Sequence, residues 1–181
     1  MHPRGDSDQH VLTLFAIALA CKGKTYIELG VKNGKTTAPL LAAAVLNGGQ
    51  LISVDIRDTP FRAGGAPAGH WQFVKSDVLL FLDQWSGPMD FVFIDDWHSY
   101  AHVKVELELI ANYVSPLSVI LLHDTMYYNY QPYYHSEPDL PRDDQWGEGG
   151  PYRAVAELDP VKWEWATLPW GHGLTLLRRK V

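Results

Sequence analysis

The chain holds 181 residues, with 15 Lys and Arg against 21 Asp and Glu, for a formal net charge of -6. That length suits a single domain, 1–181, able to bury roughly 70% of its unfolded surface, and the acidic balance argues against nucleic acid as a partner because phosphate binding wants a basic face. The one cysteine, Cys21, rules out an intrachain disulfide and fits a reducing, cytoplasmic setting.

Residues 11–21 are apolar, follow Arg4 and end in Ala18-Leu19-Ala20-Cys21, an imitation of a leader cleavage site. The run is too short to span a bilayer, and Asp6 and Asp8 stand where a leader would be basic. We expect a core-facing helix capped by Ser7 or Asp6, and no membrane association. Residues 25–29 then read as a short apolar strand, 30–34 as a glycine-bracketed turn, and residues from Lys35 onward as a helix carrying Leu40, Leu41, Ala44 and Val45. Such a junction lies at the carboxyl edge of an α/β sheet, where backbone N–H groups and the positive end of a helix face a ligand. Glu28 is expected to aim its carboxylate into the same crevice.

Spacing separates the ligands that compete for this loop. A P-loop needs four residues between its first glycine and Gly-Lys-Ser/Thr, and Val31, Lys32 and Asn33 supply three. The dinucleotide pattern needs a second glycine where Lys32 stands. What remains is Glu28-x-Gly30-x-x-x-Gly34, which resembles the first motif of class I S-adenosylmethionine (SAM) methyltransferases, although a tight strand-to-helix turn of any α/β protein reads the same way. On that resemblance Gly30, Asn33, Gly34 and Thr36 join Glu28 around the donor.

Residues 50–56 form a second strand with Asp55 at its tip, where a carboxylate can accept hydrogen bonds from both hydroxyls of a ribose; an ordinary turn aspartate is the alternative. Residues 57–69, rich in Gly, Ala and Pro, read as a flexible loop able to close over the site. A third strand, 71–75, leads to Ser76-Asp77 and an amphipathic helix over 78–85. Asp77 can cap that helix or accept from an adenine amino group, and the two roles are compatible.

Residues 89–94 are a buried-looking strand ending in Asp95-Asp96-Trp97-His98-Ser99-Tyr100, followed by a helix over about 100–114 and a strand over 119–122 ending in His123-Asp124-Thr125. Asp95 and Asp124, on neighbouring strand tips, could share one divalent cation such as Mg²⁺, Mn²⁺ or Ca²⁺. The strand ending in Asp-Asp also imitates a Walker B element, which has no P-loop here to serve. His98 has an unperturbed pKa suited to proton removal. His98 and His102, four apart, suggest zinc, but the metalloprotease pattern wants Glu at Ser99, so His102 is assigned to packing or the surface.

The run Ile94-Asp95-Asp96-Trp97-His98-Ser99-Tyr100, then Glu106, then Leu121-Leu122-His123-Asp124-Thr125 resembles the Ile-Asp-Gly-x-His-Ser-Tyr to His-Asp-Thr pattern of a class I methyltransferase family. That family includes small O-methyltransferases and is similar to the cephalosporin-hydroxylase-like and macrolide-sugar O-methyltransferase groups. The likeness spans about 25–125 and extends to the closing segment 152–179. It implies SAM as methyl donor, Mg²⁺ or Mn²⁺ on Asp95, His123 and Asp124, and His98 as general base with Asp95 and Asp124 beside it. Around the donor it implies Asp55, Ser76, Asp77 and Asp95 in addition to the loop residues. Two departures stand out: His123 replaces a carboxylate, which shifts the site toward a softer metal, and Asp96-Trp97 replaces Gly-x.

Residues 126–150 hold Tyr127, Tyr128, Tyr130, Tyr133, Tyr134 and Trp146 without helical or strand period. We read them as a substrate lid whose rings stack on a sugar or other flat small molecule; a self-packed loop or a homo-oligomer contact is the alternative. Residues 151–158 read as a short helix, and 161–166 with 173–179 as an antiparallel pair. The expected architecture is an α/β, Rossmann-like, doubly wound and mainly parallel seven-stranded sheet with helices on both faces. The expected activity is methylation of a small-molecule hydroxyl; the rivals are a SAM-binding module without turnover, a nucleotide hydrolase and an interaction domain.

Overall fold

The computed structural model describes residues 6–126 and 149–180. Its seven strands are β1 (Thr25–Leu29), β2 (Gln50–Asp55), β3 (Trp71–Lys75), β4 (Phe91–Ile94), β5 (Val119–His123), β6 (Trp163–Leu168) and β7 (Leu174–Arg179), in the spatial order β3-β2-β1-β4-β5-β7-β6. The first five pair in parallel, and β7 runs antiparallel to both β5 and β6. The five helices are α1 (Val11–Cys21), α2 (Thr37–Leu46), α3 (Val78–Asp83), α4 (Tyr100–Ile110) and α5 (Gly150–Ala156). This is the doubly wound sheet that the alternation of apolar strands and helices implies.

Side-chain alternation along the strands divides the core in two. Ile27, Leu29, Val92, Ile94, Ile120 and Leu122 pack with Val103, Leu107 and Ile110 of α4 on one face. Tyr26, Phe91, Phe93 and Leu121 pack with Leu14, Ala18, Leu40 and Leu41 of α1 and α2 on the other. Burying both faces of a parallel sheet in this way is the main source of its stability. Among the described residues no helix is long and apolar enough to cross a membrane.

Several local expectations change. A 3-10 turn over Asp6–His10 feeds directly into α1, so the N-cap position falls to His10, without a side-chain cap bond, rather than to Ser7 or Asp6. Helix α2 starts at Thr37, because the hydroxyls of Thr36 and Thr37 are drawn downward to Glu28. The 57–69 loop is anchored at its start, where the Phe61 ring meets Trp71 edge-on at 5.0 Å and Lys75 reaches Asp58 at 2.6 Å, while Gly64, Gly65 and Gly69 face open space.

Candidate active site

The carboxyl ends of β1, β2, β4 and β5 form one edge, and the β1–α2 loop crosses it. Gly30, at φ +88, lies so close to the tip of β4 that a side-chain carbon there would sit 2.2 Å from the Asp95 carbonyl oxygen. Only glycine allows that approach. The loop is fastened from the side by Asp55, whose Oδ2 accepts the Val31 and Lys32 N–H groups at 2.9 Å each while Oδ1 accepts that of Arg57 at 2.9 Å. Lys32 takes φ +48 in this turn, and Asn33 is exposed on the loop with Gly34 buried behind it.

Glu28 does not open into the crevice. It shares its face of β1 with Tyr26, so period-two alternation turns it beneath α2, where it is 0% exposed. Its carboxylate accepts from Thr36 Oγ1 and Thr37 Oγ1 at 2.7 Å and from Ser53 Oγ at 2.6 Å. Ser53 in turn accepts from Trp71 Nε1 at 3.0 Å. Burial pushes Glu28 up to about 7 against the pull of the three hydroxyls. Asp77 caps α3, accepting from Leu80 N–H at 3.0 Å, and Ser76 Oγ bonds the Asp77 carbonyl.

The β4 and β5 tips carry a denser cluster. His98 Nε2 lies 2.8 Å from Asp124 Oδ2 and 3.4 Å from Asp95 Oδ1. His123 Nδ1 lies 3.2 Å from Asp95 Oδ1 and 3.3 Å from Asp124 Oδ2, and its Nε2 is 2.9 Å from the Gly171 carbonyl. A carbonyl only accepts, so Nε2 carries a proton; a second proton on Nδ1 is favoured because two carboxylates face it. Burial opposes charge on His98 and His123, yet Asp95 and Asp124 outweigh it and lift them to about 10 and about 11. The same imidazoles hold Asp95 and Asp124 below the usual carboxylate range despite burial. His172 Nδ1 reaches Asp124 Oδ1 at 3.3 Å, and Asp124 itself takes φ +59.

Three groups here place one donor atom each within 4.8 Å of one another: Asp95, His98 and Asp124. His123, named for this set from the sequence, presents Nδ1 to the same two carboxylates while its Nε2 is held by the Gly171 carbonyl, so His98 and His123 both stand within ligand reach of the Asp95–Asp124 pair. Asp124 Oδ1 is buried with His172 Nδ1 3.3 Å away and no backbone donor on it, which fits a cation there. His98 faces both carboxylates through one nitrogen, so ligating a metal and accepting a proton at Nε2 are mutually exclusive. A further cluster, Asp96, His102 and Glu106, lies beside the first; His102 is 3.0 Å from Asp96, neither core packing nor surface as expected.

The sequence brought Asp95, His98, His123 and Asp124 together correctly, and it missed His10, Gly171 and His172. His10 Nε2 is 3.1 Å from the Gly171 carbonyl and its ring stands edge-on to His123 at 5.3 Å, a meeting of positions 161 apart in the chain that no local pattern signals. The lid expected over 126–150 has its aromatic residues, Tyr127 to Trp146, outside the described residues.

Comparison with known proteins decides the family. A family model described as a methyltransferase domain matches residues 27–125, more than half of the chain. The chain belongs to that methyltransferase family. The matched span of this methyltransferase runs from β1 to the β5 tip and so contains both the glycine loop and the Asp95–Asp124 cluster. Among solved structures it is similar to an SAH-bound methyltransferase from Podospora anserina, at 16% identity and TM-score 0.69, covering 100% of this chain and 80% of that one. An O-methyltransferase from Bacillus cereus in complex with SAH gives 16% identity and 0.67, covering 99% and 93%. The O-methyltransferase TomG from Streptomyces achromogenes, in complex with SAM, gives 14% and 0.66, covering 96% and 80%. At these identities the likeness is one of fold. Comparison with curated protein sequences gives no match.

Proposed function

We propose that this methyltransferase uses SAM to methylate a hydroxyl of a small molecule, with His98 taking the hydroxyl proton. The observation that carries the reading is the contact of Gly30 with the Asp95 backbone, which sets a loop of the donor-binding type against the Asp95–His98–Asp124 cluster. A bound donor supplies an electrophilic methyl on a sulfonium, so the chain's tasks are to hold it, align an acceptor oxygen and remove one proton. Asp55 is half-buried at the β2 tip and spends three hydrogen bonds on the loop and Arg57, leaving about one acceptor position for a ribose hydroxyl. Glu28 serves the donor indirectly, by fixing Thr36 and Thr37 under the first turn of α2. Gly34, Asn33, Ser76 and Asp77 complete the donor edge.

His98 starts as a cation, held by Asp124 and Asp95. It accepts a proton only after losing its own, which alkaline pH brings about directly. A divalent ion on Asp95 and Asp124 would cancel the charge that keeps that proton and make an acceptor hydroxyl more acidic. His98 Nε2 then takes the hydroxyl proton, and His123 stays paired with the carboxylates. The nucleotide-hydrolase reading fares worse because Val31 and Lys32 give their N–H groups to a carboxylate, which occupies the place a phosphate cradle would need. The test is a screen of hydroxylated sugars and phenols for SAH release, with and without Mn²⁺. A methylated product supports the reading, and stoichiometric donor binding with no product from any acceptor class would favour a binding module instead.

A further inference from the structure

Asp96, His102 and Glu106 take no part in the chemistry above. Asp96 follows Asp95 in the β4–α4 loop, but its carboxylate meets His102: Oδ2 is 3.0 Å from Nε2. Glu106 stands one helical turn beyond His102 on the same face of α4, its Oε1 3.7 Å from that nitrogen. Glu106 is 0% exposed, and its oxygens and Asp96 Oδ1 make no hydrogen bond outside the trio; burial and the Asp96 charge push Glu106 up to about 8 against the pull of His102. A fully buried carboxylate with no donor outside such a trio is costly unless a proton or a cation neutralises it.

The three side chains offer one donor atom each within 4.8 Å of one another. Ligands of a single ion at about 2.0–2.2 Å lie roughly 3–4 Å apart, so small rotations close the set. Two carboxylates and a neutral imidazole around a divalent ion make an electroneutral buried centre, and the ion would take the place of the protons that Glu106, raised to about 8, and His102, raised to about 10, hold without it. Imidazole with carboxylates is a donor set for Zn²⁺ or Mn²⁺ more than for Ca²⁺. Asp96 and His102, with side chains 12% and 16% exposed, form the way in. The carboxylate is this chain's own feature, since Asp96 stands where the pattern it resembles has glycine.

We propose that Asp96, His102 and Glu106 bind one divalent transition-metal ion, Zn²⁺ fitting best, which fastens the β4–α4 loop to α4. The fastened loop carries Asp95 and His98, so the ion acts on the reactive cluster through position and touches no substrate. This site is separate from the Asp95–His98–Asp124 set and stands whether or not the methyl-transfer reading holds.

Chelator-stripped protein should be dialysed against micromolar Zn²⁺ and the bound metal counted, for the wild type and for His102→Gln and Glu106→Gln. Each substitution should lower the count by one ion per chain. In a His98→Ala/Asp124→Asn background, which removes two donors of the first set, one ion should remain and disappear on adding Glu106→Gln. Zn²⁺ at a hundred times its dissociation constant should raise the melting temperature of that background by about 5–10 °C, and the rise should vanish with the ion. Co²⁺ should give a visible absorption band that His102→Gln abolishes. Folded background protein that binds no ion, or counts unchanged in both single variants, would overturn the proposal; if the background does not fold, the wild-type difference decides.

Discussion

The two halves of the reactive edge are built on opposite terms. Around β1 and β2 the carboxylates are held by uncharged donors: Glu28 accepts from three hydroxyls and Asp55 from three backbone N–H groups. Around β4 and β5, carboxylates and imidazoles face one another, and Asp124 Oδ1 and the Glu106 oxygens have only such imidazole and carboxyl neighbours. Hydrogen bonds from uncharged donors hold a shape, and buried ionisable groups facing one another keep free energy available for a ligand or a proton. One half is therefore a fixed cradle and the other a site that changes protonation. On the proposed reading, substitutions in the first half should cost stability or affinity, and substitutions in the second half turnover.

The largest break between the halves should come from His98→Ala. It should lower turnover by about 10²–10⁴-fold while SAH affinity stays within about twofold, measured by single-turnover assay and calorimetry on the same preparation. Normal turnover would remove His98 from its role. In the other half, Glu28→Ala strands three buried hydroxyls and opens a small cavity, so chemical denaturation should show a loss of about 2–4 kcal/mol. Glu28→Gln, which keeps an acceptor, should cost clearly less.

Protonation sharpens the comparison further. The folded values of His98 and His123 stand above the ordinary 6.5, at about 10 and about 11. Their contribution to stability is therefore fully present below about 6.5 and lost as pH rises through 10 to 11. In EDTA, the denaturation midpoint of the wild type should fall across that alkaline window, and a flat profile would contradict the ion pairs. Asp55→Ala releases the loop and should weaken SAH binding about tenfold with little effect on the turnover of bound donor. The smallest expected effect is Asp77→Ala, a loss of about 1 kcal/mol from the α3 cap.

Much of this arrangement was legible from the residues. Short apolar strands separated by helical segments implied the parallel sheet, and strands that end in Asp95 and Asp124 had to place those carboxylates on one edge. Glu28 was misread because the motif suggested a ligand while the strand period, shared with Tyr26, turned it under α2. Counting that period would have found it. The part that Gly171 plays in orienting His123 was not legible, since that carbonyl is delivered by the turn between β6 and β7. His102 escaped for a related reason: its partner Asp96 lies in an irregular loop, whose direction no periodicity encodes.

The most direct test of the central claim is a calorimetric titration of the folded protein with S-adenosylhomocysteine in EDTA, repeated with Mn²⁺. The account predicts binding at one molecule per chain in both conditions, weakened by Asp55→Ala and spared by His98→Ala. Folded protein that binds no S-adenosylhomocysteine in either condition would contradict it.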